Sequence, residues 1–150
     1  MSFVLSERSL SRLKGINDKL SKVVQSAIDY TKVDFGVTCG LRTIEEQKEL
    51  VESGASQTMN SKHLDGNAVD LVAYIGPKIS WELNVYDDVA EAIKTAAMEH
   101  DLSIRWGAAW HVEDIREWHG TMEELMLAYI DLRRRQGKRP FIDAPHFEVT

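Results

Sequence analysis

The sequence predicts a single α+β domain spanning residues 1–150. Three observations point there. Some stretches carry apolar residues at helical spacing, others are short and almost continuously apolar, and the two kinds do not alternate as a parallel sheet would require. At 150 residues the chain also has the length of one domain, enough to bury a real core.

Taken in order, the apolar residues Leu10, Leu13, Ile16, Leu20, Val23, Val24, Ala27 and Ile28 recur at helical spacing between Ser6 and Tyr30. Gly15 divides that run into two helices. Val33 to Cys39 reads as a strand, and Gly40 turns the chain out of it. Thr43 followed by Glu46 is a capping box, opening a helix that runs to Val51 and is closed by Gly54. Ala68 to Tyr74 reads as a buried strand, with Asp70 in its middle. Tyr86 to His100 is amphipathic, with Val89, Ala92, Ile93, Ala96 and Ala97 on one face. Leu102 to Trp106 is a short strand. Thr121 and Glu124 form a second capping box ahead of a helix from Met122 to Arg135. Phe141 to Val149 is the expected last strand. There is no internal repeat and no linker-like segment.

Bulk composition narrows the function. A net charge of −6 is the wrong sign for a nucleic-acid binder, which carries a basic footprint. Cys39 is the only cysteine, so a disulfide framework and a multi-thiolate metal site are both excluded. Any bound metal takes its ligands from His, Asp and Glu. The segment MSFVLSERSLSRLKG lacks the apolar core of a signal peptide, and no later run approaches a membrane span. The expectation is a protein made and kept in the cytosol, without stable membrane insertion.

Aspartate is depleted from strands, so Asp70 inside AVDLVAY calls for a reason. His63 lies seven residues earlier, with Gly66 permitting a tight reversal and Ala68 leaving room. Near the C-terminus, FIDAPHFEV places Asp143 three residues before His146. A catalytic zinc commonly has three protein ligands and one open position. His63, Asp70 and His146 would supply the three, and Asp143 would accept a proton from water. On spacing alone, a lone His–Asp pair in a small domain is more often a hydrogen-bonded couple than a metal site. Among the other histidines, His100 closes a helix, where the helix dipole favours a cation, and His119 lies in a polar run without a signal of its own.

SKHLDGNAVD together with the late DAPHFE resembles the D-Ala-D-Ala carboxypeptidase and L-alanyl-D-glutamate endopeptidase family of zinc peptidases. The likeness is strongest to phage endolysins of the L-alanyl-D-glutamate type, and GLRTIEEQKELVESGAS is similar to the family's segment before the first ligand. The resemblance implies a small central antiparallel sheet flanked by helices, with zinc in a cleft on the sheet. It implies His63, Asp70 and His146 as zinc ligands and Asp143 as general base. Arg42 matches a family arginine that holds a substrate carboxylate or the developing oxyanion. Ser61 and Gly66 match positions shaping the ligand loop. The chain is longer than the shorter members between Trp110 and Asp143, where a helix and the run RRRQGKR intervene.

On this resemblance the expected activity is zinc-dependent cleavage of the L-alanyl-D-glutamate bond in the peptidoglycan stem peptide. The protein would act as a monomeric endolysin with no separate wall-binding module, reaching the wall through a holin-type membrane hole. A D-Ala-D-Ala carboxypeptidase on the same scaffold is the alternative, and a non-catalytic wall-binding module a third. Ser61, Trp110 and His111 are candidate substrate contacts, Trp110 and His111 because they follow Gly107 in a loop. Cys39, at the end of an apolar strand, reads as structural. Arg133, Arg134, Arg135, Lys138 and Arg139 read as a solvated helix end complementing the dipole.

Overall fold

In the computed structural model, described for residues 2–56 and 58–150, five helices pack around a five-stranded sheet. The helices are α1 (Glu7–Arg12), α2 (Asp18–Tyr30), α3 (Ile44–Glu52), α4 (Leu83–His100) and α5 (Met122–Arg135). The strands are β1 (Asp34–Cys39), β2 (Ala68–Ile75), β3 (Lys78–Ser80), β4 (Ile104–Trp106) and β5 (His146–Val149).

Local signals set the helix ends. Both predicted capping boxes form, Thr43 with Glu46 and Thr121 with Glu124, so the N-cap and third-position N–H groups of each helix are satisfied reciprocally. The break after α1 falls at Gly15, whose φ of +83° no continuing helix allows. The apolar stripe of α2 is buried as its spacing requires: Leu20, Val23, Val24, Ala27 and Ile28 all enter the core. Leu10 does not, remaining 42% exposed because α1 is too short to bury a full stripe.

The sheet runs β1–β2–β5–β4, every pairing antiparallel, with β3 joined to the far end of β2. The central strand β2 is therefore covered on both edges. Alternation sends Val69, Leu71 and Ala73 into the hydrophobic core with Phe35, Val37 and Phe147. Asp70, out of phase with them, stands on the other face, beside the cleft. Its side chain keeps 21% exposure. The strand is buried; its carboxylate opens onto a cavity.

Two strand expectations change. The last strand begins at His146 rather than Phe141, because residues 141–145 form a turn against Gly107. The short β3 follows a turn at Gly76 and was not legible in the polar sequence around it. Of the tryptophans, Trp106 is wholly buried and stacks on Phe147, whereas Trp81 stays 67% exposed over Tyr86.

Candidate metal centre

Strand register builds the site. Asp70 pairs directly with His146 on β5, and directly opposed residues of an antiparallel pair project to the same face. On its other edge, β1 carries a bulge between Val37 and Cys39, so that Cys39 rather than Thr38 opposes Asp70. Cys39, Asp70 and His146 thus form one row across three strands. His63 joins from a 3-10 turn (Lys62–Asp65) capped by the Ser61 hydroxyl and ended by Gly66 at φ +72°. A Cβ at Gly66 would come within 2.9 Å of the Gly15 carbonyl, so only glycine fits both the angle and the space.

Both imidazoles reach the same carboxylate. His63 Nε2 lies 3.3 Å from Asp70 Oδ2, and His146 Nδ1 lies 3.3 Å from Oδ1. Their rings meet edge to face at 5.1 Å. Asp143 completes a close group with Asp70 and His146, their ligand atoms within 4.8 Å of one another. Cys39, His63 and Asp70 form a second such group.

The electrostatics follow from this packing. Burial opposes charge on both imidazoles, yet hydrogen bonding to Asp70 and its negative charge outweigh it and hold both above the ordinary histidine value. Burial likewise pushes the Asp70 carboxyl up, but His146 and His63 overcome it and hold it far below the usual range. Asp143 goes the other way, raised first by burial and then by the charge of Asp70. Cys39 is held below its usual value, because His63 and Arg42 outweigh the effect of burial.

The donor set fits a metal ion on its own chemistry. A ligating histidine usually donates its second ring N–H to a carbonyl or carboxylate. His63 Nδ1 lies 2.9 Å from the Gly40 carbonyl and His146 Nε2 lies 2.8 Å from Glu148 Oε1. Each ring therefore presents its remaining nitrogen to Asp70. Two imidazoles and a carboxylate are the ligand types of a catalytic zinc.

The surrounding cleft has a volume of about 670 Å³. Arg42, Ser61, Trp110 and Asp143 line it alongside the three candidate ligands. Trp110 leans on His146 at 5.4 Å and stacks on Phe141. His111 is placed differently, exposed and stacked on Tyr129 away from the cleft lining.

Three contributors carried no signal of their own in the sequence. Glu148 is buried behind His146. Its only mark is a period of two in HFE, which puts it on the same face. Gly107 lies against the turn that carries Asp143. Gln47, wholly buried on α3, accepts from Arg42 Nη1 at 2.5 Å and donates to Ser56 Oγ at 2.9 Å and the Thr58 carbonyl at 2.5 Å. It ties Arg42 to the cleft rim. Gln47→Leu is expected to strip Arg42 Nη1 of its acceptor and leave the Thr58 carbonyl only the Ser56 hydroxyl at 3.3 Å, costing about 1–3 kcal/mol in a denaturant titration.

The sequence profile of the phage L-alanyl-D-glutamate peptidase family matches residues 1–126. The L-alanyl-D-glutamate peptidase of Escherichia phage T5 is 31% identical over 115 residues, covering 74% of this chain and 84% of that protein. The L-alanyl-D-glutamate peptidase of Listeria phage A118 is 31% identical over 106 residues, covering 69% of this chain but 37% of that longer protein. Among solved structures, the L-Ala D-Glu endopeptidase ChiX of Serratia marcescens superposes with a TM-score of 0.71 at 33% identity. That match covers all of this chain and 90% of ChiX. With the three candidate ligands and Asp143 gathered at one cleft, the chain belongs to the phage L-alanyl-D-glutamate peptidase family.

Proposed function

We propose that the protein is a zinc-dependent endopeptidase that cuts the L-alanyl-D-glutamate bond of the peptidoglycan stem peptide, as a single-domain phage endolysin. The observation that carries this is the convergence of His63 and His146 on Asp70 with Asp143 beside them. His63 through Nε2, Asp70, and His146 through Nδ1 would hold the ion. When bound, zinc supplies Lewis acidity for the scissile carbonyl and lowers the pKa of water. Asp143 takes the proton of the attacking water and passes it to the leaving amine; its raised pKa suits both transfers. Arg42, locked by Gln47 and 3.5 Å from Asp70 Oδ2, offers positive charge to the developing oxyanion or to the carboxylate of the leaving D-glutamate. Among the described residues no helix is long and apolar enough to cross a membrane, and the proposed route to the wall is release through a holin-type lesion, with the enzyme acting as a monomer.

Mass spectrometry of muropeptides digested by the zinc-loaded protein tests the reaction. New fragments with an N-terminal D-glutamate are expected; free D-alanine would instead identify a carboxypeptidase, and undigested peptidoglycan a non-catalytic module.

Metal binding should depend on pH in a defined sense. Without metal, the raised histidines stabilise the fold fully below the ordinary value of 6.5, and that contribution is lost as pH rises through their folded values. The depressed Asp70 contributes above 3.8 and is lost as pH falls. Metal requires the imidazoles unprotonated. The Tm of chelator-treated protein should therefore fall between about pH 6.5 and about pH 10. The gap to the zinc-loaded protein should widen over the same range. A constant gap in paired thermal melts would contradict the ligand assignment.

A further inference from the structure

The two nitrogens of His146 face two different carboxylates. Nδ1 lies 3.3 Å from Asp70 Oδ1, and Nε2 lies 2.8 Å from Glu148 Oε1. A neutral imidazole has one N–H and one lone pair, so whatever accepts from one nitrogen decides what the other can do. An ionised carboxylate at Glu148 only accepts. Nε2 then carries the hydrogen, and Nδ1 keeps its lone pair for the cleft.

Glu148 is held for this task. It is 7% exposed, opposes Ala68 on β2, and projects to the same face as His146. Its second oxygen lies 3.6 Å from Arg105 and 3.9 Å from Lys62, which hold the carboxylate in its ionised, accepting form. His63 reaches the equivalent state differently, donating from Nδ1 to the neutral Gly40 carbonyl.

We infer that Glu148 is a positioning residue for the metal centre: it locks His146 in the Nε2–H tautomer and in the orientation that turns Nδ1 into a ligand. The inference rests on the metal reading above and extends it. A carboxylate behind one histidine and a carbonyl behind the other hold the two imidazoles by different means.

Two measurements test it, neither of them activity. Nitrogen-15 NMR of histidine-labelled, zinc-loaded wild-type protein should show His146 protonated at Nε2 and ligated at Nδ1. Competition with a chromophoric chelator should give E148A a zinc affinity about 10–100-fold weaker than wild type. E148Q keeps an acceptor oxygen and should fall between the two. A folded E148A with wild-type affinity, or a wild-type proton on Nδ1, would overturn the inference. If E148A fails to fold, E148Q carries the affinity test, and wild-type zinc affinity in that variant would overturn the inference. Wild-type protein that takes up no zinc would remove the metal reading as well, whereas zinc uptake indifferent to residue 148 would overturn this inference alone.

Discussion

Asp143→Asn is expected to leave the protein folded and able to take up zinc while lowering kcat/KM about 10²–10⁴-fold. The amide keeps the shape of the carboxyl and the backbone contacts of the turn: Asp143 N–H to the Gly107 carbonyl at 2.8 Å, and His146 N–H to the Asp143 carbonyl at 3.0 Å. Only the capacity to accept a proton is removed. Asp143 suits that role because burial and Asp70 raise its pKa, while its position three residues before His146 holds it close to the ligand group. Removing one carboxylate from beside Asp70 also removes a negative charge that attracts a dication, so metal affinity should be retained or fall slightly. The measurement is turnover of a muropeptide substrate alongside zinc content per chain. Wild-type turnover in the variant would show that another group moves the proton; lost zinc would show that Asp143 is a ligand.

Gly107→Ala should damage both stability and activity, although residue 107 has no chemistry to offer. A Cβ there would come within 2.1 Å of the Asp143 carbonyl oxygen and 3.0 Å of His146 Cβ. The nearest obstacle is backbone, so no rotamer change relieves it. Gly107 is also paired through both its own N–H, to the His146 carbonyl, and its carbonyl, from Asp143 N–H, each at 2.8 Å. The turn must therefore move as a body and take Asp143 and His146 with it. Overpacking of this kind costs about 1–3 kcal/mol, or roughly 2–4 °C of Tm per kcal/mol in a chain of this size. A displacement near 1 Å in the catalytic groups lowers the rate about 100-fold. Thermal melts and kcat/KM on the same preparation check both effects. Unchanged values would mean that β4 and the 141–145 turn do not approach as closely as described.

The sequence by itself determined the features that depend on near neighbours. Capping boxes at Thr43 and Thr121, the break at Gly15 and the buried stripe of α2 rest on contacts three or four residues apart, and spacing reveals these directly. The candidate ligands were legible only through the resemblance carried by SKHLDGNAVD and DAPHFE, because the short spacings of His63 with Asp70 and of Asp143 with His146 also suit plain hydrogen-bonded couples. Only the tertiary structure decided the strand register: β2 and β5 meet across 76 positions, and no local interaction specifies that Asp70 faces His146. Glu148 beneath His146, Gln47 behind Arg42 and Gly107 under Asp143 were hidden for the same reason. Their roles lie in partners that packing brings close, and an isolated glutamate, glutamine or glycine carries no mark of the neighbour it will meet.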